Sequence, residues 1–179
     1  MLLALLQYLL YIVIYLKLYI DCNDLDVLEN TILVYGSISI CDEGKDACVK
    51  EGTLIKNFLE KLKKFSGDNS IDKEKALKIL IGCTRFLMNV SILKRGKVEI
   101  FENNGIEILF SLLDGNFKDD EQLILDILQC ITNTAEEPRA RIALRGEKYL
   151  DKIKDFRNHQ DELISEQAQI CTDVITWEP

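Results

Sequence analysis

The stretch Leu80-Ile-Gly-Cys-Thr-Arg-Phe-Leu-Met-Asn-Val90 carries the pattern that decides the fold, because the pattern recurs in three other places along the chain. In each copy, apolar residues stand nine, three and two positions before a polar residue, which we call the marker. Offsets of this kind return to nearly the same face of an α-helix, so each copy predicts a helix that buries one stripe. The four markers are Ser37, Asn89, Asn133 and Asp173.

A second element recurs between the markers. An apolar pair follows each of three glycines, three and seven residues further on; the glycines are Gly52, Gly105 and Gly146. A glycine at this place predicts the end of one helix and a sharp turn into the next. Short helices are expected before the glycines, over residues 44–51, 96–103 and 138–145. The sequence therefore predicts units of three helices each.

The spacing of the markers is that of a helical repeat. They are 52, 44 and 40 residues apart, and armadillo and HEAT repeats have a period of about 40–47 residues with two or three helices each. The longest interval contains Ser66-Gly-Asp-Asn-Ser70, a turn-rich stretch that predicts a loop insertion.

Over residues 24–176 the sequence resembles the armadillo repeat family, and HEAT-like solenoids give similar patterns. The stretches that carry the resemblance are Glu43-Gly-Lys-Asp-Ala-Cys-Val-Lys-Glu-Gly52, Met88-Asn-Val-Ser91 and Asn103-Asn-Gly-Ile-Glu-Ile-Leu-Phe-Ser-Leu-Leu113. The resemblance implies an all-α fold, a right-handed solenoid of about three to four armadillo-like three-helix units with the first unit incomplete.

Residues 1–20 form an apolar segment that is distinct from the repeats. Leu2 to Leu16 are apolar apart from Gln7 and the tyrosine hydroxyls, and Lys17 ends the run. A membrane-spanning helix needs about 20 apolar residues. Three interpretations stay open: a membrane anchor, a helix buried against a missing part of a longer protein, or an artefact of a truncated chain. We therefore divide the chain into this segment and an armadillo-like repeat domain over residues 21–179.

Charge and cysteine usage limit the class of protein. The net charge of −8 argues against nucleic acid as the main partner, because phosphate binding needs a basic surface. Six cysteines are present without a Cys-x-x-Cys pair or the spacing of a disulfide framework. They predict reduced thiols and a cytoplasmic protein, with a membrane-anchored protein as the alternative.

The sequence offers no catalytic constellation. His159 is the single histidine, and there is no Gly-rich phosphate loop and no Gly-x-Ser-x-Gly turn. The carboxylate pairs Asp119/Asp120 and Glu136/Glu137 lie at predicted helix starts, where they favour the helix dipole. We therefore expect no catalysis, no cofactor and no metal.

The resemblance nevertheless implies a binding site. In the armadillo family, an asparagine on each third helix commonly holds the backbone of an extended peptide. Asn89 and Asn133 match that position, whereas Ser37 and Asp173 depart from it. An asparagine near the C-terminus of a helix can instead cap its own chain, and this alternative stays open.

The residue four positions before each marker distinguishes two modes of peptide binding within the family. Importin-α-like receptors carry a tryptophan there, and this chain has Leu33, Arg85, Gln129 and Gln169. Binding of nuclear-import signals is therefore not expected. Arg85 resembles the β-catenin-like style, in which groove cations meet acidic partner segments, and Lys78 shares that face approximately. The planar fork of an arginine suits a carboxylate. The alternative is a solvated arginine on an exposed face.

These residues predict a non-catalytic protein-binding scaffold or adaptor. Its concave groove would bind an extended partner segment, acidic if Arg85 and Lys78 contact it, with Asn89 and Asn133 on the backbone. Two alternatives stay open: the C-terminal armadillo module of a larger co-chaperone or assembly factor with tetratricopeptide repeats, and a membrane-tethered scaffold. The apolar N-terminal end also predicts self-association of the isolated chain.

Overall fold

The computed structural model describes residues 2–68 and 70–178, with side chains from residue 7 onwards. This part of the chain forms eleven α-helices and a 3-10 helix at Phe156–Asn158, and it contains no strand. The helices are α1 (Leu2–Ile20), α2 (Leu25–Ile38), α3 (Asp42–Glu51), α4 (Leu54–Gly67), α5 (Lys73–Val90), α6 (Lys94–Glu102), α7 (Gly105–Leu113), α8 (Glu121–Thr134), α9 (Pro138–Leu144), α10 (Glu147–Asp155) and α11 (Glu162–Thr176).

The helices repeat in units of three. The complete units are α3–α5, α6–α8 and α9–α11, and α2 takes the place of a third helix before them. The third helices pack in series, α2 on α5, α5 on α8 and α8 on α11. Each begins at an aspartate that accepts a backbone hydrogen bond from its first turn; these caps are Asp24, Asp72, Asp120 and Asp161. The predicted insertion lies between α4 and α5, and its Asn69 is outside the described residues.

The core runs continuously along the array, as a stacked repeat requires. The predicted stripe residues of α5, Leu80, Phe86 and Leu87, are fully buried. Phe86 stacks on Phe58 of α4 with ring centroids 3.9 Å apart, and Tyr35 of α2 meets Phe58 edge-on at 5.5 Å. The aromatic rings thus join the incomplete first unit to the next one.

The turn glycines differ from the prediction in two of three units. Gly52 ends α3 with φ +87°, as expected. In the next unit the positive φ belongs to Asn104, at 58°, and Gly105 is already the first residue of α7. Position 105 requires a glycine for a steric reason, because an added Cβ would lie 2.7 Å from the Ile100 carbonyl oxygen. Gly146 has φ −55° and caps α10 without a left-handed turn.

A different pair of glycines fixes the corner between a third helix and the following first helix. A Cβ on Gly44 would lie 1.8 Å from the Ile38 carbonyl oxygen, and a Cβ on Gly96 would lie 2.0 Å from that of Val90. The backbones therefore touch at both corners, which any side chain would prevent. In the last unit the equivalent residue is Ala140, which is fully buried.

Helix α1 packs against α2 and α3. Val13 and Ile20 are fully buried, and the Tyr35 hydroxyl donates to the Val13 carbonyl oxygen at 2.6 Å. Lys17 forms an ion pair with Glu51 of α3 at 2.5 Å. The opposite face of α1 is exposed and carries Tyr8, Tyr11, Ile12, Ile14, Tyr15 and Leu18. The domain boundary at residue 20 stays a prediction.

Among the residues that the structure describes, none of the helices has the length and apolarity needed to cross a membrane.

Candidate functional site

The side-by-side third helices form the surface that the sequence singles out. The marker and the residues four, seven and eleven positions before it recur on one side of each third helix. We call the surface that these sixteen residues form the groove. Its members are Asp26, Asn30, Leu33 and Ser37 on α2, Lys78, Gly82, Arg85 and Asn89 on α5, Gln122, Asp126, Gln129 and Asn133 on α8, and Glu162, Glu166, Gln169 and Asp173 on α11.

Both predicted asparagines connect one third helix to the preceding one. Asn89 Nδ2 donates to Ser39 Oγ at 3.0 Å and to the Gly36 carbonyl oxygen at 3.4 Å. Asn133 Nδ2 donates in the same way to Ser91 Oγ at 3.0 Å and to the Met88 carbonyl oxygen at 3.4 Å. We call each arrangement an asparagine rung. The side-chain amides therefore cap the neighbouring helix, and in the described residues the structure records their hydrogen bonds to that helix and its C-cap serine.

The rungs leave one polar atom of each asparagine without a donor. Asn89 is 9% exposed and Asn133 is half-buried. Within the described residues, the structure records no hydrogen bond to the Oδ1 atom of either side chain. Each Oδ1 can therefore accept one hydrogen bond from outside, whereas each Nδ2 is already engaged. Peptide binding by Asn89 and Asn133 stays a prediction.

The third junction, where α11 packs on α8, has no asparagine rung. Asp173 carries no N–H group to donate, and Ala135 stands where Ser39 and Ser91 supply a hydroxyl. Asp173 accepts instead from Gln169 Nε2 of its own helix at 2.7 Å. A hydrogen bond at another position, from Gln167 Nε2 to Thr132 Oγ1 at 3.0 Å, joins α11 to α8.

Arg85 faces a buried carboxylate of the next third helix. Its Nε lies 3.5 Å from Asp126 Oδ2, and the side chains of Arg85 and Asp126 are 45% and 4% exposed. Asp126 Oδ1 accepts from Gln122 Nε2 at 2.7 Å, but its buried Oδ2 has no hydrogen-bond partner in the described residues. Burial raises the pKa of Asp126, against the opposing effects of Arg85 and Gln122. Arg85 was predicted from the sequence as a groove residue, and Asp126 was not.

Lys78 also has an internal partner. Its Nζ lies 2.7 Å from Glu74 Oε1 on the same helix, and this hydrogen bond raises the pKa of Lys78, as do the nearby charges of Glu29 and Asp72. The structure thus places both predicted groove cations, Lys78 and Arg85, on α5 and gives each a carboxylate of this chain.

The cysteines of the third helices act as apolar residues. Cys83, Cys130 and Cys171 are fully buried, and burial raises the pKa of Cys130 and Cys171 to about 12. All six cysteines are free thiols. In the described part of the chain, no group of three or more His, Cys, Asp or Glu side chains is arranged to hold a metal ion.

Solved structures share this architecture. An engineered protein from the Northeast Structural Genomics Consortium matches with a TM-score of 0.75 and 19% identity, over 91% of this chain and 62% of that one. A designed armadillo repeat protein in complex with the peptide (KR)4 matches with a TM-score of 0.70 and 16% identity, over 89% of this chain and 62% of that one. A computationally designed armadillo repeat protein for modular peptide recognition has a TM-score of 0.52 and 14% identity, over 89% and 80% of the two chains.

These likenesses confirm the predicted fold class, an all-α solenoid of armadillo-like units. The chain spans less than two thirds of the length of the first two engineered structures. No family model matches the sequence. No curated protein matches it either.

Proposed function

We propose that this protein is a non-catalytic scaffold that binds an extended polypeptide segment along the groove. The observation that carries the proposal is the pair of asparagine rungs, which hold two side chains in fixed positions with an open Oδ1 atom on each. The matching designed proteins, one described in complex with a peptide and one as made for modular peptide recognition, support the same use of this fold.

The spacing of the rungs suits an extended backbone. Packed helices lie about 8–10 Å apart, and an extended chain advances about 3.3–3.6 Å per residue. The Oδ1 atoms of Asn89 and Asn133 would therefore accept hydrogen bonds from two backbone N–H groups of the bound segment that are two to three residues apart. Because their Nδ2 atoms are already engaged, each asparagine would make one hydrogen bond to the segment, and the remaining affinity would come from side chains along the groove.

Arg85 and Lys78 belong to the proposed contact surface, and an acidic segment facing them stays a prediction. Half of the Arg85 side chain is open to a partner. However, an acidic side chain there would compete with Asp126 for Arg85 and with Glu74 for Lys78.

The proposal places the scaffold in the cytoplasm, because free thiols persist in a reducing compartment. Its assignment as a module of a larger co-chaperone and its tethering to a membrane stay predictions. Self-association through the exposed face of α1 is a further prediction, which sedimentation of the isolated chain would test.

The test is a selection of ligands from a random dodecapeptide library against the whole chain. Affinities of the selected peptides are then measured by fluorescence anisotropy for the natural chain and for Arg85→Ala, Gln129→Arg and Lys56→Ala. Arg85 and Gln129 lie in the groove, whereas Lys56 lies on the second helix α4. We expect a changed affinity with the two groove variants and unchanged binding with Lys56→Ala. Gln129→Arg adds a positive charge and should weaken binding of a basic segment, whereas Arg85→Ala removes one and should strengthen it, and both effects should be reversed for an acidic segment. Equal binding by all four proteins would overturn the proposal.

A further inference from the structure

We propose that Asp126 is the receiving carboxylate for a cationic side chain of the bound segment, so that the groove selects a segment with lysine or arginine. This inference rests on the proposed function and specifies the chemistry of the partner at that site. It also departs from the acidic segment that Arg85 alone predicts.

The first observation is the state of the Asp126 carboxylate. Its side chain is 4% exposed, and its Oδ2 atom is buried without a hydrogen-bond donor. A buried carboxylate is normally paired and fully hydrogen-bonded, because burial removes the water that would otherwise solvate it. The only side chain that donates to Asp126 in the described residues is Gln122, through Oδ1. Oδ2 therefore lacks the hydrogen-bond donor that a buried carboxylate oxygen normally has.

The second observation is that Arg85 covers Asp126 without satisfying it. Charge-assisted N–H···O bonds measure about 2.7–2.9 Å, and Arg85 Nε lies 3.5 Å from Oδ2. The Arg85 side chain is long and half exposed, so it can rotate towards solvent. An ammonium or guanidinium group of a partner can then donate directly to Oδ2, which replaces a weak contact by a short one.

The third observation is the balance of charge around the site. Lys78 has Glu74 as its partner, and Lys75 of α5 forms an ion pair with Asp26 of α2. Three other carboxylates of the groove have no ion pair among the described residues; they are Glu162, Glu166 and Asp173. A basic segment would therefore meet carboxylates without ion pairs, whereas an acidic segment would first have to separate existing ion pairs.

The experiment compares two fluorescent octapeptides, one of alternating lysine and arginine and one of alternating aspartate and glutamate, by anisotropy with the whole chain. Asp126→Asn keeps the shape of the side chain and the acceptor for Gln122. Glu60→Gln, on the second helix α4, removes one negative charge outside the groove and is the matched control. The control is needed because a chain of net charge −8 attracts any cationic peptide at long range.

We expect the basic octapeptide to bind more tightly than the acidic one. Asp126→Asn should weaken that binding about tenfold or more, and Glu60→Gln about twofold or less. The melting temperature of Asp126→Asn should equal or exceed that of the natural chain, because a buried charge without a donor is removed; a general loss of structure would lower it. Tighter binding of the acidic octapeptide, or equal effects of the two substitutions, would overturn the inference.

The outcome separates this inference from the proposed function. If the affinity of the library peptides changes with the Arg85→Ala and Gln129→Arg variants but the peptides are acidic, the groove binds segments and the role of Asp126 is wrong. If the library peptides bind all groove variants equally, the proposed function itself fails.

Discussion

The α2–α5 and α5–α8 junctions differ from the α8–α11 junction in their polar contacts, although helices pack against each other at all three. At the α2–α5 and α5–α8 junctions, an asparagine rung joins a buried serine hydroxyl to the side chain of the next helix. At the α8–α11 junction, Asp173 and Ala135 occupy the equivalent positions, and the helices still pack extensively. Stacking thus depends on the apolar stripe, and the rung is an additional feature of the two middle units.

The largest effect is expected from breaking the more deeply buried rung. Asn89→Ala would leave Ser39, which is fully buried, without the amide donor that it accepts from. We expect a loss of about 1–3 kcal/mol in the free energy of unfolding, measured by urea denaturation. A loss below about 0.5 kcal/mol would mean that the rung contributes little to the folded state.

Breaking the second rung should cost less. Asn133 is half-buried, so water can supply part of the hydrogen bonding that Asn133→Ala removes. We expect a loss of about 0.5–1.5 kcal/mol in the same measurement. Asp173→Ala, at the equivalent position without a rung, is the matched control and should change stability by less than about 0.5 kcal/mol. Equal losses for Asn133→Ala and Asp173→Ala would remove the distinction between the junctions.

A rung can be built where none exists. The double substitution Ala135→Ser with Asp173→Asn supplies the hydroxyl and the amide donor to the α8–α11 junction. We expect a gain of about 0.5–1 kcal/mol for the pair. The two single substitutions should add up to less than the double one in a double-mutant cycle. Strict additivity of the single effects would show that no rung has formed.

The smallest expected effect concerns the charged contact of the α5–α8 junction. Burial raises the pKa of Asp126 in the folded state above its unfolded value. The folded protein therefore binds this proton more tightly, and its stability falls as pH rises through the interval between the two values. Asp126→Asn removes that dependence, so its stability relative to the natural chain should increase from about pH 4 to pH 7. The Arg85 charge offsets part of the burial cost, which keeps the change small.

Urea denaturation of both proteins at the two pH values measures this difference, with Glu60→Gln as the control for loss of a surface carboxylate. The interpretation of Asp126 would be wrong if the relative stability of Asp126→Asn fell between pH 4 and pH 7.

The sequence predicted the helices because their signal is local. Apolar residues at offsets of nine, three and two predict a buried stripe within one helix, and Leu80, Phe86 and Leu87 are buried accordingly. In α2 and α11, however, the residue three positions before the marker is exposed, Val34 by 41% and Ile170 by 43%. The turn glycines were less predictable, since Gly105 is required by the nearby Ile100 carbonyl and not by its own φ angle. That requirement depends on how two helices meet, which a single glycine does not encode.

The partners in the groove could not be predicted in the same way. Asn89 and Ser39 are 50 residues apart, and pairing them requires the register between two units. A signal for Asp126 was present, however. It is the one charged residue within the apolar run from Leu123 to Leu128, seven positions before a marker. A lone carboxylate at that place on a buried helix indicates an internal partner or a ligand, and only the structure shows that Arg85 approaches it.

The backbone contacts at Gly44 and Gly96 have a consequence for how this array can change in length. The distance from marker to contact glycine is seven positions at both corners, from Ser37 to Gly44 and from Asn89 to Gly96, and Ala140 holds the same position after Asn133. One inserted residue there would turn the following unit about its axis and move its groove residues away from their neighbours. At the start of the α4–α5 connection, a Cβ added to Gly67 would meet nothing within 4 Å, and the predicted insertion lies in this connection. New sequence, or a fused domain, can therefore enter the array between a second and a third helix while the groove keeps its register.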